Sequence, residues 1–390
     1  MKLLKQFLGL ICSVIMVFSL CGGTYASNQT SIEHDVCDTS QVSAEQFIKA
    51  EINRIVAEKP VDCSWTNETI FGTPVVLYDA YDNCNGYVFK LYTDGSETGY
   101  IQITCFDGKF KVYCYSFTGI PAYEGLSNTY EKQLEDSKNG RLYFFGNMAY
   151  CVKTKDDTFR AIDAVEAISV ETARTYYDSF RYAIKEKESE REKESHTENR
   201  NESYFAPQTR SFSLVTMSDF SNLYATRPNG TQQIVTEHCS PTAATNIMRY
   251  FRSTGASPLS TSVSNTTIFM EMYYAMDTNA IRTSNIIQAT GTLRSNIRPG
   301  ISSFCAGRGC PPATIGRVLS VTLSGIKNHI NNGELLLMSL DDFPSQYAKH
   351  SVVLFGYSGS SLKISTGWDT SYHYYSYTNL TIAQYVYVGY

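Results

Sequence analysis

The sequence predicts an α+β chain in two parts. Three features carry this reading: stretches with apolar residues at helical spacing, aromatic and β-branched runs broken by turn residues, and an abrupt run of charge between the two parts. The 390 residues allow two domains at about 150 residues each. With 43% hydrophobic and 18% charged residues and a formal net charge of −5, the chain can bury a core and has no basic excess to favour nucleic acid.

At the start, Lys2 and Lys5 precede an apolar run from Phe7 to Leu20, and Thr24-Tyr25-Ala26 follows. This reads as a secretory signal peptide over residues 1–26, cut after Ala26. A lipid anchor on Cys21 is disfavoured by the bulky Leu20 before it. No later stretch has the roughly eighteen consecutive apolar residues of a membrane span, so a secreted, soluble protein is expected. Residues 27–184 then form an N-terminal α+β domain. A helix is expected over 44–58, with Ser43 and Gln46 as a capping box and Ile48, Ile52, Ile55 and Val56 on its apolar face. Runs at 87–92, 100–105 and 110–117, separated by Asp94-Gly95 and Asp107-Gly108, predict a meander of hairpins. Residues 142–152 add a strand, and Ala173, Tyr176, Tyr177, Phe180 and Ile184 mark a closing helix. This half contains no nucleophile–base set, and its His34 lies near the mature terminus.

Residues 185–211 open with Lys185-Glu186-Lys187-Glu188-Ser189-Glu190-Arg191-Glu192-Lys193-Glu194 and stay polar to about Ser203. Charge without apolar content predicts either a solvated extension of the preceding helix or a disordered linker, in both cases open to proteolysis. Six cysteines of the mature chain precede this stretch (Cys37, Cys63, Cys84, Cys105, Cys114 and Cys151), and Cys239, Cys305 and Cys310 follow it. Setting Cys239 aside leaves an even number on each side, the parity expected of one thiol among disulfides in an oxidising compartment.

In residues 212–390 the informative stretch runs from Gln233 to Phe251. Ala244, Ile247, Met248 and Phe251 fall on one helical face behind Pro241, which places Cys239 at a helix N-terminus. Unpaired N–H groups there favour a thiolate. Six residues upstream, Gln233 offers an amide donor for an oxyanion. His350 opens the apolar run His350-Ser351-Val352-Val353-Leu354-Phe355-Gly356-Tyr357 and is the candidate proton partner. Short strands are expected at 333–340, 350–357, 362–366 and 383–390, with a helix at 268–276. His238 is expected to face solvent, and His373 to be structural. No Cys-x2-Cys or His-x3-His spacing suggests a zinc site, and no cofactor is expected.

Gln-x5-Cys at the head of a helix, then Asn332-Gly333-Glu334-Leu335-Leu336-Leu337-Met338-Ser339, the His350 run and Ile364-Ser365-Thr366-Gly367-Trp368, resemble papain-like cysteine peptidases. With Cys-x-Pro-Thr-Ala-Ala, the resemblance is to the compact bacterial branch similar to bacteriocin-leader peptidases. It implies an antiparallel barrel-like sheet facing a helical lobe, with Cys239 as nucleophile and His350 as general base, then acid. The Cys–His separation of 111 residues is shorter than the roughly 130–150 of papain and cathepsins. The family places Asn or Asp just before a Trp to orient the imidazole. Here Thr366 and Gly367 precede Trp368, which leaves Asp369 or Thr366 as the orienting residue.

The resemblance thus implies a secreted cysteine peptidase acting on protein or peptide substrates through a thiolate–imidazolium pair. It also implies that the N-terminal domain is a prosegment, an intramolecular inhibitor released by cleavage of the linker. Two other functions fit the same residues. One is an amide hydrolase or acyl transferase on non-protein or cell-wall amides. The other is an inactive secreted binding or adhesion protein, favoured by the missing Asn before Trp368.

Overall fold

The computed structural model describes residues 40–58, 60, 62–106, 108–125, 130–162, 167–194, 203–206, 212–286, 291–340 and 350–390. The signal segment, His34 and Cys37 lie outside the described residues. The first helical pattern forms α1 (Gln41–Glu58), which buries Ala44, Ile48, Ile52 and Ile55. It starts three residues before the expected position, because Ser40 rather than Ser43 caps it: the Ser43 N–H donates to Ser40 Oγ. Strands β1 (Ile70–Phe71), β2 (Val75–Tyr78), β3 (Cys84–Thr93), β4 (Ser96–Phe106) and β5 (Lys109–Ser116) follow. The expected meander is β3–β4–β5, and Asp94 and Gly95 turn its first hairpin with φ of 51° and 75°.

Two short helices, α2 (Ala122–Gly125) and α3 (Tyr130–Glu135), lead to β6 (Leu142–Phe144), β7 (Tyr150–Lys153), β8 (Thr158–Ala161) and β9 (Ala167–Ser169). The single strand expected over 142–152 is therefore a hairpin, β6–β7. Its chain reverses where Gly146, Asn147 and Met148 all take positive φ. Helix α4 (Val170–Glu194) carries the closing apolar residues and continues through the charged run. Of the two readings of that run, the helical extension is the one observed, and Glu188 pairs with Lys111 at 2.6 Å.

The second half begins with β10 (Ser203–Phe205), β11 (Tyr224–Thr226) and β12 (Gln232–Ile234). Three helices follow, α5 (Cys239–Ser253), α6 (Asn265–Ala275) and α7 (Arg294–Gly307), then β13 (Thr314–Val318) and α8 (Leu323–Asn331). Strands β14 (Leu335–Leu340), β15 (Ser351–Ser358), β16 (Ser361–Ser365), β17 (His373–Ser376) and β18 (Ile382–Gly389) complete it. Leu335 and Leu337 of β14 face α5, α6 and α7, whereas Leu336, Met338 and Leu340 share a core with α8. Alternating side chains buried on both faces explain why β14 and β15 read as continuous apolar runs. Helix α5 is buried from Ser240 to Met248, so the single apolar face expected of it is in fact a helix enclosed on all sides.

The two halves are not separate bodies. Strand β17 pairs antiparallel with β5, and one sheet runs in the order β13-β18-β14-β15-β16-β17-β5-β4-β3-β2-β6-β7-β8-β9. Among the described residues no pairing closes the β14–β18 strands into a barrel, because the edge of β17 is taken by the N-terminal half. Tyr100, Tyr113, Phe144, Leu336, Trp368 and Tyr375 lie in one apolar cluster that spans the seam. Tyr115 stacks on Tyr374 with centroids 5.0 Å apart, and Lys363 is paired with Asp62.

The cysteine parity is not matched by pairing. Cys105 is disulfide-bonded, whereas Cys63, Cys114, Cys305 and Cys310 carry free thiols. Among the described residues no helix is long and apolar enough to cross a membrane.

Candidate functional site

Cys239 is the first residue of α5, entered through Glu237 in a left-handed conformation (φ 48°) and His238 as N-cap. The Ser240 and Ser351 hydroxyls lie 2.8 Å apart, which ties the head of α5 to the first residue of β15. Ser351 follows His350 directly, so the nucleophile and base candidates are carried on two elements that meet at their starts.

Although Cys239 is not fully buried, its enclosure pushes the thiol up to about 11. The Ser351 N–H opposes this, the Glu237 carboxylate adds to it, and the Ser351 and Ser240 hydroxyls oppose it again. The expectation of a resting thiolate is therefore not met: loss of water outweighs the favourable helix terminus.

His350 is buried, and its ring stacks on Trp368 with centroids 4.3 Å apart and planes 13° apart. Its Nε2 lies 2.8 Å from the Thr366 carbonyl oxygen. A carbonyl can only accept, so Nε2 carries the proton and Nδ1 is left as the basic nitrogen. Burial pushes the imidazole down to about 4, with the Thr366 carbonyl opposing. Thiol and imidazole are thus both neutral near pH 7, rather than an ion pair.

Asp369 does not orient His350. Its Oδ1 is 2.9 Å from His373 Nε2, and it accepts the N–H groups of Ser371 and Ile120. Burial raises the Asp369 carboxyl, but His373 and these N–H groups hold it below its ordinary value. Of the two candidates for the third position, the group at His350 Nε2 is the Thr366 main-chain carbonyl. His238 is buried rather than solvent-facing, edge-on to Phe269 and 3.2 Å from Thr242 Oγ1. Among the described residues there is no cluster suited to a metal ion.

Residues 226–388 match the family model described as Peptidase_C39 like family. Over this segment the match supports a papain-like cysteine peptidase family. The search of curated proteins finds no match for the chain.

The Peptidase_C39-like segment begins one residue before Arg227, which no motif in the sequence singles out. Gln233 is the buried residue of β12, between exposed Gln232 and Ile234, as strand alternation requires. Its Oε1 accepts a hydrogen bond from Arg227 Nη2. Arg227 is itself only 2% exposed. An arginine reads in sequence as a surface charge, so no local signal marked it; its place beside the β11–β12 turn was the only hint.

Proposed function

We propose that the chain is a secreted cysteine peptidase, made as a zymogen, that cleaves peptide bonds through a Cys239–His350 dyad. The observation that carries this is the meeting of α5 and β15 at Cys239, Ser240 and Ser351, with the His350 tautomer fixed by the Thr366 carbonyl, inside a segment of a cysteine peptidase family. From the neutral pair, Nδ1 of His350 takes the thiol proton as sulfur attacks the scissile carbonyl. The Gln233 amide and the Cys239 N–H hold the oxyanion. The protonated imidazole then gives its proton to the leaving amine, and water, deprotonated by the same nitrogen, hydrolyses the thioester. Because a backbone carbonyl does the orienting, the absent Asn before Trp368 no longer favours an inactive protein. The reaction needs no cofactor.

The N-terminal half is the intramolecular inhibitor in this reading. It docks along β17 and on the turn that holds Trp368, the ring stacked on His350. Ile120 N–H donates to Asp369, and a Cβ at Gly125 would sit 3.3 Å from the Trp368 Cβ. A shared sheet and core keep the halves associated after a cut in residues 185–211, so activation requires their separation as well. The test is labelling of residues 27–390, beside Cys239→Ala, with a tagged peptidyl epoxide before and after linker proteolysis and again after mild denaturant separates the fragments. Cys239-dependent labelling of the separated C-terminal fragment is expected. Absence of labelling in every state removes the peptidase reading, and full labelling of the intact chain removes the zymogen.

A further inference from the structure

We propose that Arg227 is a positioning residue that locks the Gln233 side chain with its NH2 group presented as oxyanion donor. The inference rests on the cysteine peptidase reading above. A guanidinium has only donors, so the Gln233 oxygen must face it, and the flipped amide is excluded. The Gln233 Nε2 has no acceptor among the described residues, which leaves the donor end for a group that arrives from outside.

Arg227 is buried without a carboxylate partner among the described residues. Its other bonds go to the main-chain oxygens of Ala280 at 3.3 Å, Asn279 at 3.4 Å and Ser284. Scaffolding alone is served better by a neutral side chain or a buried ion pair, since an uncompensated buried cation is costly. A fixed positive charge behind an amide is useful where negative charge develops in front of it, because it polarises the amide and strengthens its donor end.

The receiving segment also holds the chain that leads into α5. Asn279, fully buried and left-handed at φ 56°, donates from Nδ2 to the Thr236 carbonyl at 2.8 Å and to Tyr273 Oη at 2.9 Å. One turn, 278–284, therefore anchors both Gln233, through Arg227, and the backbone three residues before Cys239.

The experiment compares two reactions of Cys239 in residues 27–390, before and after linker proteolysis and separation of the halves. Iodoacetamide alkylates the thiol at a saturated carbon and forms no oxyanion. p-Nitrophenyl acetate acylates it through a tetrahedral oxyanion, with transfer of the acetyl group to sulfur and release of p-nitrophenolate. Arg227→Met is expected to slow acylation by about 100-fold while alkylation stays within about twofold, the size seen when one oxyanion donor is lost. Gln233→Ala should show the same loss, and the double variant no further loss. Equal loss of both reactions in Arg227→Met, or of neither, overturns the assignment. Should Arg227→Met fail to fold, Gln233→Glu supplies the guanidinium with a carboxylate and removes the donor. It should melt no lower than wild type yet lose acylation to the same extent, and unchanged acylation overturns the proposal. A wild-type Cys239 that neither alkylates nor acylates, in the intact chain or after linker proteolysis and separation of the halves, removes the peptidase reading itself, and the assignment with it.

Discussion

Two buried histidines draw on acceptors from the same short turn, residues 366–369, and they are held in opposite ways. His350 meets a main-chain carbonyl and lies flat on Trp368. His373 meets the Asp369 carboxylate through Nε2 and Tyr100 Oη, from the N-terminal half, through Nδ1 at 3.0 Å. A carbonyl fixes a tautomer without supplying a full negative charge, so it leaves the imidazole neutral and able to accept a proton. A carboxylate is the stronger anchor, and here it joins strands across the seam. The turn thus divides its acceptors: the uncharged one serves the candidate chemistry and the charged one serves assembly.

The largest effects break this division directly. His350→Gln should lower Cys239-dependent casein hydrolysis by the separated C-terminal fragment by about 10⁴-fold or more, as removal of a catalytic base does in comparable enzymes. Asp369→Asn should cost less than about tenfold in the same assay, because Asp369 touches His373 and not His350. A loss with Asp369→Asn as deep as with His350→Gln would return Asp369 to the site and erase the distinction.

The neutral state of the site gives a second test, through pH. With the thiol near 11 and the imidazole near 4, raising pH deprotonates Cys239 without any change in His350. Alkylation of the intact chain by iodoacetamide should therefore climb by about tenfold per pH unit from 7 to 10, roughly 10³-fold in all, as expected for a thiol titrating above that range. An ion pair would instead give a flat profile over the same range. A plateau from pH 5 to 8 would mean that the carbonyl-held imidazole is charged after all.

What could be read from the sequence, and what could not, follows the same line between side-chain and main-chain information. The α5 helix was legible because its signals are local: Pro241 in the first turn and apolar residues at 244, 247, 248 and 251. The runs that became β14 and β15 were legible because burial on both faces leaves them mostly apolar, with serine as the polar residue in Leu335–Leu340 and at the two ends of Ser351–Ser358. Helix α7 was not, since Pro299 interrupts its pattern, and the short β10, β11 and β12 carry too few residues to show a period. The β5–β17 pairing joins segments far apart in sequence, so a charged linker between them suggested two bodies where the chain builds one sheet. The acceptor for His350 is an oxygen that every residue possesses. Side-chain chemistry around Trp368 therefore leaves Asp369 and Thr366 both open.

The smallest expected effect falls on the seam. Gly119 lies where a Cβ would meet Ser116 Oγ at 2.7 Å, His373 Cε1 at 2.8 Å and Asp369 Oδ2 at 2.9 Å, so no larger residue fits without moving the carboxylate–imidazole pair. Gly119→Ala should lower stability by about 1–3 kcal/mol, the usual range for overpacking a close contact. Thermal melting of the intact chain reads this directly. If the seam restrains the site through Trp368, the same variant should label faster at Cys239 with the epoxide probe while the linker is still uncut. A variant that melts lower yet labels at the wild-type rate would mean that the His373–Asp369 anchor only assembles the sheet, and that restraint of the site lies elsewhere.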